Sequence, residues 1–124
     1  MIRFVVPGRP VPKARPRLGV RGRTAFIYTP EETKAYEQVV SLCAKMAVPK
    51  PVSGPVSLRA VIYLRRGHRG DIDNYLKSLC DGLNKVAWCD DSQVVRIEAE
   101  VRRCKAEDER VEIEVCRKET RVAN

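Results

Sequence analysis

The chain has 124 residues, a formal net charge of +8 and a pI near 9.5. That length holds one domain around one hydrophobic core, and 44% hydrophobic residues suffice to build it. The basic excess suits a polyanion, while the absence of any apolar run of bilayer length, or of a signal-peptide core in MIRFVVPGRP, points to a soluble cytoplasmic protein without a membrane partner.

In chain order, IRFVV (2–6) alternates and predicts a strand. PGRPVPKARPRLGVRGR (7–23) has no apolar period and reads as a proline-stiffened basic arm. AFIY (25–28) is a short strand returning to the sheet. Thr29-Pro30-Glu31-Glu32 signals a helix start, with Thr29 as cap, Pro30 at the first helical position and Glu32 closing a capping box. Ala35, Tyr36, Val39, Val40, Cys43, Met46 and Ala47 then repeat at three and four, so an amphipathic helix ends before Pro49.

VSLRAVIYL (56–64) is the clearest strand, with Val56, Leu58, Ala60, Ile62 and Leu64 on one face. After the basic loop RRGHRG, a second apolar helical stripe runs from Asn74 to Val86 through Leu76, Leu79, Cys80 and Leu83. VVRIEAEVRRC (94–104) and RVEIEVC (110–116) alternate around the charged turn KAEDE and predict a β-hairpin. The expected architecture is a single α+β domain over residues 1–118, with a mixed sheet and two main helices on one face, followed by a tail at 119–124. Cys43, Cys80, Cys89, Cys104 and Cys116 form no CxxC pair and His68 is the lone histidine, which argues against a zinc site, a disulfide framework and a His-dependent nucleophile. The absence of a Walker motif argues against a nucleotide cofactor.

GDIDNYLKSLCDGLNKVAWCDD (70–91) places five aspartates in a basic chain. In extended backbone Asp71 and Asp73 point to one side, with Cα atoms roughly 6–7 Å apart, able to bracket a divalent cation. Asp73 also suits a helix N-cap, and Asp-x-Asp before a helix needs no metal to explain it. The company of Lys77 and Asp81 at successive helical turns, and of Asp90 and Asp91, favours Mg²⁺, or Mn²⁺ in its place. A carboxylate-held Mg²⁺ in a basic protein suggests phosphodiester chemistry: the basic surface holds the backbone and the acidic pocket holds the metal.

These residues resemble the active-site region of the RusA-type crossover-junction endodeoxyribonucleases, the Holliday junction resolvases common in phages and prophages. The shared pattern is Asp71, Asp73, Asn74, Lys77, Asp81, Asp90, Asp91, Gln93 and Val94, supported by PGRPVPKARPR and YTPEETKAYE, and it spans about residues 2 to 116. The resemblance implies a RusA-like two-fold homodimer that nicks four-way DNA junctions symmetrically with Mg²⁺. It assigns catalysis to Asp71, Asp73, Asp91 and Lys77. It gives metal binding to Asp71, Asp73 and Asp91, with Asp90 as a further candidate ligand. Either Asp90 or Asp91 can take the third catalytic role, and the DDxQV context favours Asp91. Asp81 is expected to hold Lys77. A helix from Asn74 to Val86 would be about 20 Å long and would part Asp91 from Asp71 and Asp73. Either the chain folds back quickly or a two-fold partner supplies Asp91.

The residues expected to meet the DNA backbone are Lys13, Arg15, Arg17, Arg21, Arg23, Arg65, Arg66 and Arg69, with Arg9 beside them. Trp88 could stack on an unpaired base, but an apolar residue after a helix reads as core. Two rival functions use the same residues. One is a metal-dependent nuclease acting on other branched or single-stranded DNA. The other is a non-catalytic, structure-selective DNA-binding protein whose aspartates cap and pair. An RNA-binding accessory protein finds no aromatic signature here.

Overall fold

The structure, a computed structural model, describes residues 1–14, 17–28, 30–68 and 70–118, with the side chains of Arg17 and Tyr28 excepted. The tail at 119–124, the Thr29 cap, Arg15 and Arg69 lie outside the described residues.

Strands β1 (Ile2–Pro7), β4 (Val56–Arg65), β5 (Val94–Cys104) and β6 (Arg110–Arg117) form one mixed sheet in the order β1-β6-β4-β5. β6 runs antiparallel to both neighbours, and β4 and β5 are parallel. Helices α1 (Glu31–Ala47) and α2 (Ile72–Leu83) pack on one face. Alternation decides which residues meet them. Val56, Leu58, Ala60, Ile62 and Leu64 of β4 and Val111, Ile113 and Val115 of β6 are buried beneath Val40, Ala44, Leu79 and Leu83 of the helices. On the opposite face ion pairs such as Arg59–Glu114 and Arg110–Glu112 stand in water. The α+β class, the mixed sheet and the single domain are as the sequence predicts.

Several expectations change. The strands at 94–104 and 110–116 are not a hairpin, because β4 lies between them. β4 is buried along most of its length and has a partner on each edge, so β5 and β6 flank it and the short KAEDE segment passes over its end. Residues 25–28 do not return to the main sheet. Thr24–Tyr28 (β3) pairs with Arg17–Arg21 (β2), so the end of the supposed loop is itself a strand in a separate two-stranded ribbon. The ribbon turns at Gly22, where φ is +63°, and Phe26 lies over Gly19, where an added Cβ would meet the ring at 2.5 Å. Finally, α1 starts at Glu31, so Pro30 occupies the cap position and not the first helical one.

α2 spans Ile72–Leu83, starting before Asn74 and ending before Val86. Asp71, not Asp73, is its N-cap; Asp73 sits inside the first turn. Lys85, with φ of +66°, breaks the helix just beyond its C-cap, Asn84. α1 crosses α2 closely at Gly82, where a Cβ would stand 2.8 Å from Val40, and Ser41 donates to the Gly82 carbonyl at 2.5 Å.

Candidate active site

The basic loop after β4 leads through Gly70 into α2. Gly70 packs against buried Tyr75, and a Cβ there would stand 2.6 Å from the ring, so the chain enters the helix in a fixed pose. The helix then opens with Asp71 at the cap and Asp73 in its first turn. Both residues are exposed, and neither side chain has a hydrogen-bond or ion-pair partner among the described residues. The extended i, i+2 geometry expected of them does not hold, since Asp73 is already helical. What brings them together is the N-terminal end of α2, whose dipole and free N–H groups favour anions. Lys77 follows Asp73 by one turn, is also exposed, and forms no ion pair within 4 Å among the described residues.

Asp81 does not hold Lys77. Its carboxylate takes Lys13 Nζ at 2.9 Å, and Glu37 takes the same ammonium at 2.6 Å. Burial works against the charge on Lys13, but the hydrogen bonds from Glu37 and Asp81 outweigh it and raise the pKa. Lys13 also donates its backbone N–H to the Asn74 carbonyl, and Ser78 Oγ donates to the Val11 carbonyl. Lys13 therefore staples the arm to both helices, which removes its charge from the set free to meet DNA.

The turn before β5 separates the two neighbouring aspartates. Asp90 caps the 3-10 turn Asp91–Gln93, accepting from Ser92 N–H at 3.0 Å, and the Ser92 bonds hold its carboxyl below the usual carboxylate range. Gln93 accepts from the N–H groups of Cys89 and Asp90 and donates to the carbonyls of Val52 and Gly54. Asp91 Oδ1 accepts from Nε1 of Trp88 at 2.7 Å. Trp88 is fully buried, as its reading as core requires. Its tie to Asp91 was missed from sequence, although a buried indole N–H demands an acceptor and Asp91 stands three residues on.

Asp91 lies near Cys80. Burial pushes the Cys80 thiol up to about 11, and the charges of Asp91 and Asp81 add to it. Cys80 follows Asp73 by seven residues, about 10 Å along the helix axis. The chain thus brings Asp71 and Asp73 together and holds Asp91 nearer the far end of α2. Among the described residues no group of three or more His, Cys, Asp or Glu side chains is placed to hold a metal ion.

The remaining basic residues fall in two places. Arg21 and Arg23 are exposed at the turn of the β2–β3 ribbon, whose strand also includes Arg17. Arg65 and Arg66 lie at the end of β4, where Arg65 Nε binds the buried Glu109 at 2.8 Å while Arg66 is exposed. Arg9 reaches His68 at 3.4 Å beside a cleft of about 240 Å³ that these two share with Val11, Thr33 and Tyr75. No helix among the described residues is long and apolar enough to cross a membrane.

The family model of "Endodeoxyribonuclease RusA" matches residues 7–116. The chain is also 32% identical over 134 residues to "Uncharacterized protein YqaN" of Bacillus subtilis (strain 168), covering 90% of this chain and 93% of that protein. The family match takes in the arm, both helices, the Asp71–Asp73 end of α2 and the Asp90–Gln93 turn, and the chain belongs to the RusA family of endodeoxyribonucleases.

Proposed function

We propose that this protein is a Mg²⁺-dependent endonuclease that resolves four-way DNA junctions by paired symmetric nicks during recombination and repair. It acts as a two-fold homodimer in the cytoplasm of a bacterial host. The observation that carries this reading is the pair of exposed carboxylates at the start of α2, which have no side-chain partner among the described residues, with a lysine one turn on that pairs with no described carboxylate, in a chain of net charge +8. Several other carboxylates do have internal partners: Glu37 and Asp81 hold Lys13, Glu109 holds Arg65, and Asp90 caps a turn. Leaving two like charges side by side without a counter-ion is unfavourable unless something outside the chain neutralises them.

The donor set fits Mg²⁺. The ion takes oxygen ligands, is commonly held by one or two carboxylates, and fills its other positions with water and substrate phosphate. Asp71 and Asp73 would hold it, and it would supply Lewis acidity toward the scissile phosphate and the attacking water. Lys77 offers its ammonium to a phosphoryl oxygen as charge builds in the transition state. The Asp81 carboxylate, taken up by Lys13, does not compete for Lys77. Arg21, Arg23 and Arg66 neutralise backbone phosphates and carry no base code. A two-fold dimer supplies two such sites at fixed separation, matching the approximate two-fold symmetry of the junction.

The decisive experiment is cleavage of a labelled synthetic four-way junction beside linear duplex of the same sequence. It is run with Mg²⁺, with EDTA and with Asp73→Asn protein. Paired nicks in the junction alone, lost in the latter two arms, are the expected result. Equal cutting of flaps or single strands would shift the reading to a broader nuclease. Tight junction binding by folded protein without cleavage in Mg²⁺ or Mn²⁺ would return the aspartates to capping and the protein to a DNA-binding module.

A further inference from the structure

The cleft beside Arg9 and His68 has walls from three parts of the fold. The arm supplies Pro10, Val11 and Pro12, the entry to α1 supplies Pro30 and Thr33, and buried Tyr75 lines it from α2. Both flanks are held in place. Lys13 ties the arm to Glu37 of α1 and Asp81 of α2. The His68 loop is braced from behind: buried Glu109 accepts from the Arg65 backbone N–H at 3.2 Å, and Arg103 Nη1 donates to the His68 carbonyl at 2.9 Å. Arg9 Nη2 meets His68 Nδ1 at 3.4 Å. A guanidinium can only donate, so Nδ1 accepts, while Nε2 lies toward Glu109 at 3.9 Å.

Size and lining restrict what the cleft can take. Its volume of about 240 Å³ falls below the roughly 300–1,000 Å³ of sites that enclose drug-sized ligands, so it suits a single ring system. The lining argues against phosphate. Three prolines offer no backbone N–H, and the exposed carboxylate of Glu32, which also lines the cleft, repels an anion. A nucleobase matches each feature. Its faces pack on proline and valine, and its N–H groups suit the Glu32 carboxylate. Its ring and carbonyl acceptors suit Arg9, whose guanidinium has no ion pair among the described residues and donors to spare beyond His68.

We propose that this cleft receives one unpaired base of the strand whose phosphate meets Asp71 and Asp73, and that its capture favours branched DNA over linear duplex. The place of that base beside a scissile phosphate rests on the nuclease reading; the base-binding cleft itself does not. Tyr75 follows Asp71 by four residues, about 6 Å along the helix axis, and donates its N–H to the Asp71 carbonyl at 3.3 Å. His68 precedes Asp71 by three residues, at most about 11 Å of chain. A phosphate at the start of α2 thus leaves a neighbouring base within reach of the cleft. Extruding a base from duplex costs its pairing and its stacking on both sides. At a branch point the stack is already interrupted, so the same extrusion costs less there.

The test reads base extrusion without cleavage. Four-way junctions carry 2-aminopurine, which brightens on leaving the base stack, at successive positions outward from the crossover. Wild-type protein binds them in EDTA. Tyr75 is only 3% exposed and the prolines and valine do not quench, so a captured base stays bright. One position should brighten about threefold or more on binding, and the same base in linear duplex should not. Arg9→Lys keeps the charge but loses the guanidinium fork, and Ala14→Leu fills the cleft. Each should remove most of the brightening and lower the preference for junction over duplex about tenfold. Urea unfolding identifies which variants are folded, and either folded variant suffices. No bright position, equal brightening in duplex, or brightening that survives the substitutions overturns the cleft as a base site. A junction that stays dark yet is nicked in Mg²⁺ ends this inference and leaves the nuclease reading standing. One that brightens but is not cut in Mg²⁺ or Mn²⁺ keeps the base site and ends the nuclease reading.

Discussion

Two adjacent aspartates have opposite employments. Asp90 spends its carboxylate on the turn that starts β5, whereas Asp91 accepts a bond from the buried Trp88 and has no other side-chain partner among the described residues. The DDxQV pattern thus splits into a structural pair, Asp90 and Gln93, and an acid held by the indole of Trp88. Trp88→Phe keeps an aromatic ring in the core but leaves Asp91 unoriented. Single-turnover cleavage should slow roughly ten- to a hundredfold while junction affinity stays unchanged. An unaltered rate would remove Asp91 from the site. Glu109 is the other residue whose environment makes a prediction. Burial opposes its ionisation, but the hydrogen bonds and charge of Arg65, aided by His68, outweigh burial and hold its carboxyl below the ordinary 4.5. A depressed carboxylate contributes stability that is present above its unfolded value and is lost as pH falls through the folded one. Arg65 is half exposed, which limits the contribution. Glu109→Gln should cost about 1–2 kcal/mol at neutral pH in urea unfolding, with the gap from wild type closing below pH 4.5. The acidic and basic residue types at the start of α2 were plain in the sequence. Their geometry was not, because moving the helix start by a few residues turns Asp73 from a cap into a first-turn residue.

At the scale of elements, the basic arm divides into a staple and an exposed ribbon. Lys13 is mostly buried against Glu37 and Asp81, while Arg21 and Arg23 stand in solvent at the turn of the β2–β3 ribbon. Lys13→Ala should destabilise the protein by about 1–3 kcal/mol, through two lost charge-assisted bonds, without altering the salt dependence of junction binding. Its raised pKa means that this stabilisation is complete at neutral pH and is lost only as pH climbs above 10.5. The Arg21→Ala, Arg23→Ala double variant should do the reverse. It should unfold like wild type, bind junctions more weakly whatever their sequence, and lower the slope of log affinity against log salt by about two. A slope change with Lys13→Ala, or none with the ribbon variant, would reverse the assignments. Composition could not separate these roles, because proline spacing hides which cations face a helix and which face water. The helices and β4 were legible from period alone. The ribbon was not, since its strands alternate weakly and keep Leu18, Val20 and Ile27 exposed.

At the scale of the whole molecule, strand order was the least legible feature. Two alternating segments and a short charged linker look alike whether they pair with each other or flank a third strand. The choice is made by β4, whose burial demands neighbours on both edges. That choice matters for function, because it leaves β5 at the sheet edge with Asp91 at its foot. A resolvase built on two sites must cut twice before it leaves the junction, or it leaves a nick that ends in neither product. On a supercoiled plasmid that extrudes a cruciform, wild-type dimers should therefore yield linear DNA directly. Dimers of one wild-type and one Asp73→Asn subunit retain one complete site, whichever chain donates Asp91. They should stop at the nicked circle, at a rate within about twofold of half the wild-type rate of first nicking. Linear product from mixed dimers at the wild-type rate would mean that a single site makes both cuts, and the match between protein and junction symmetry would then carry no mechanism.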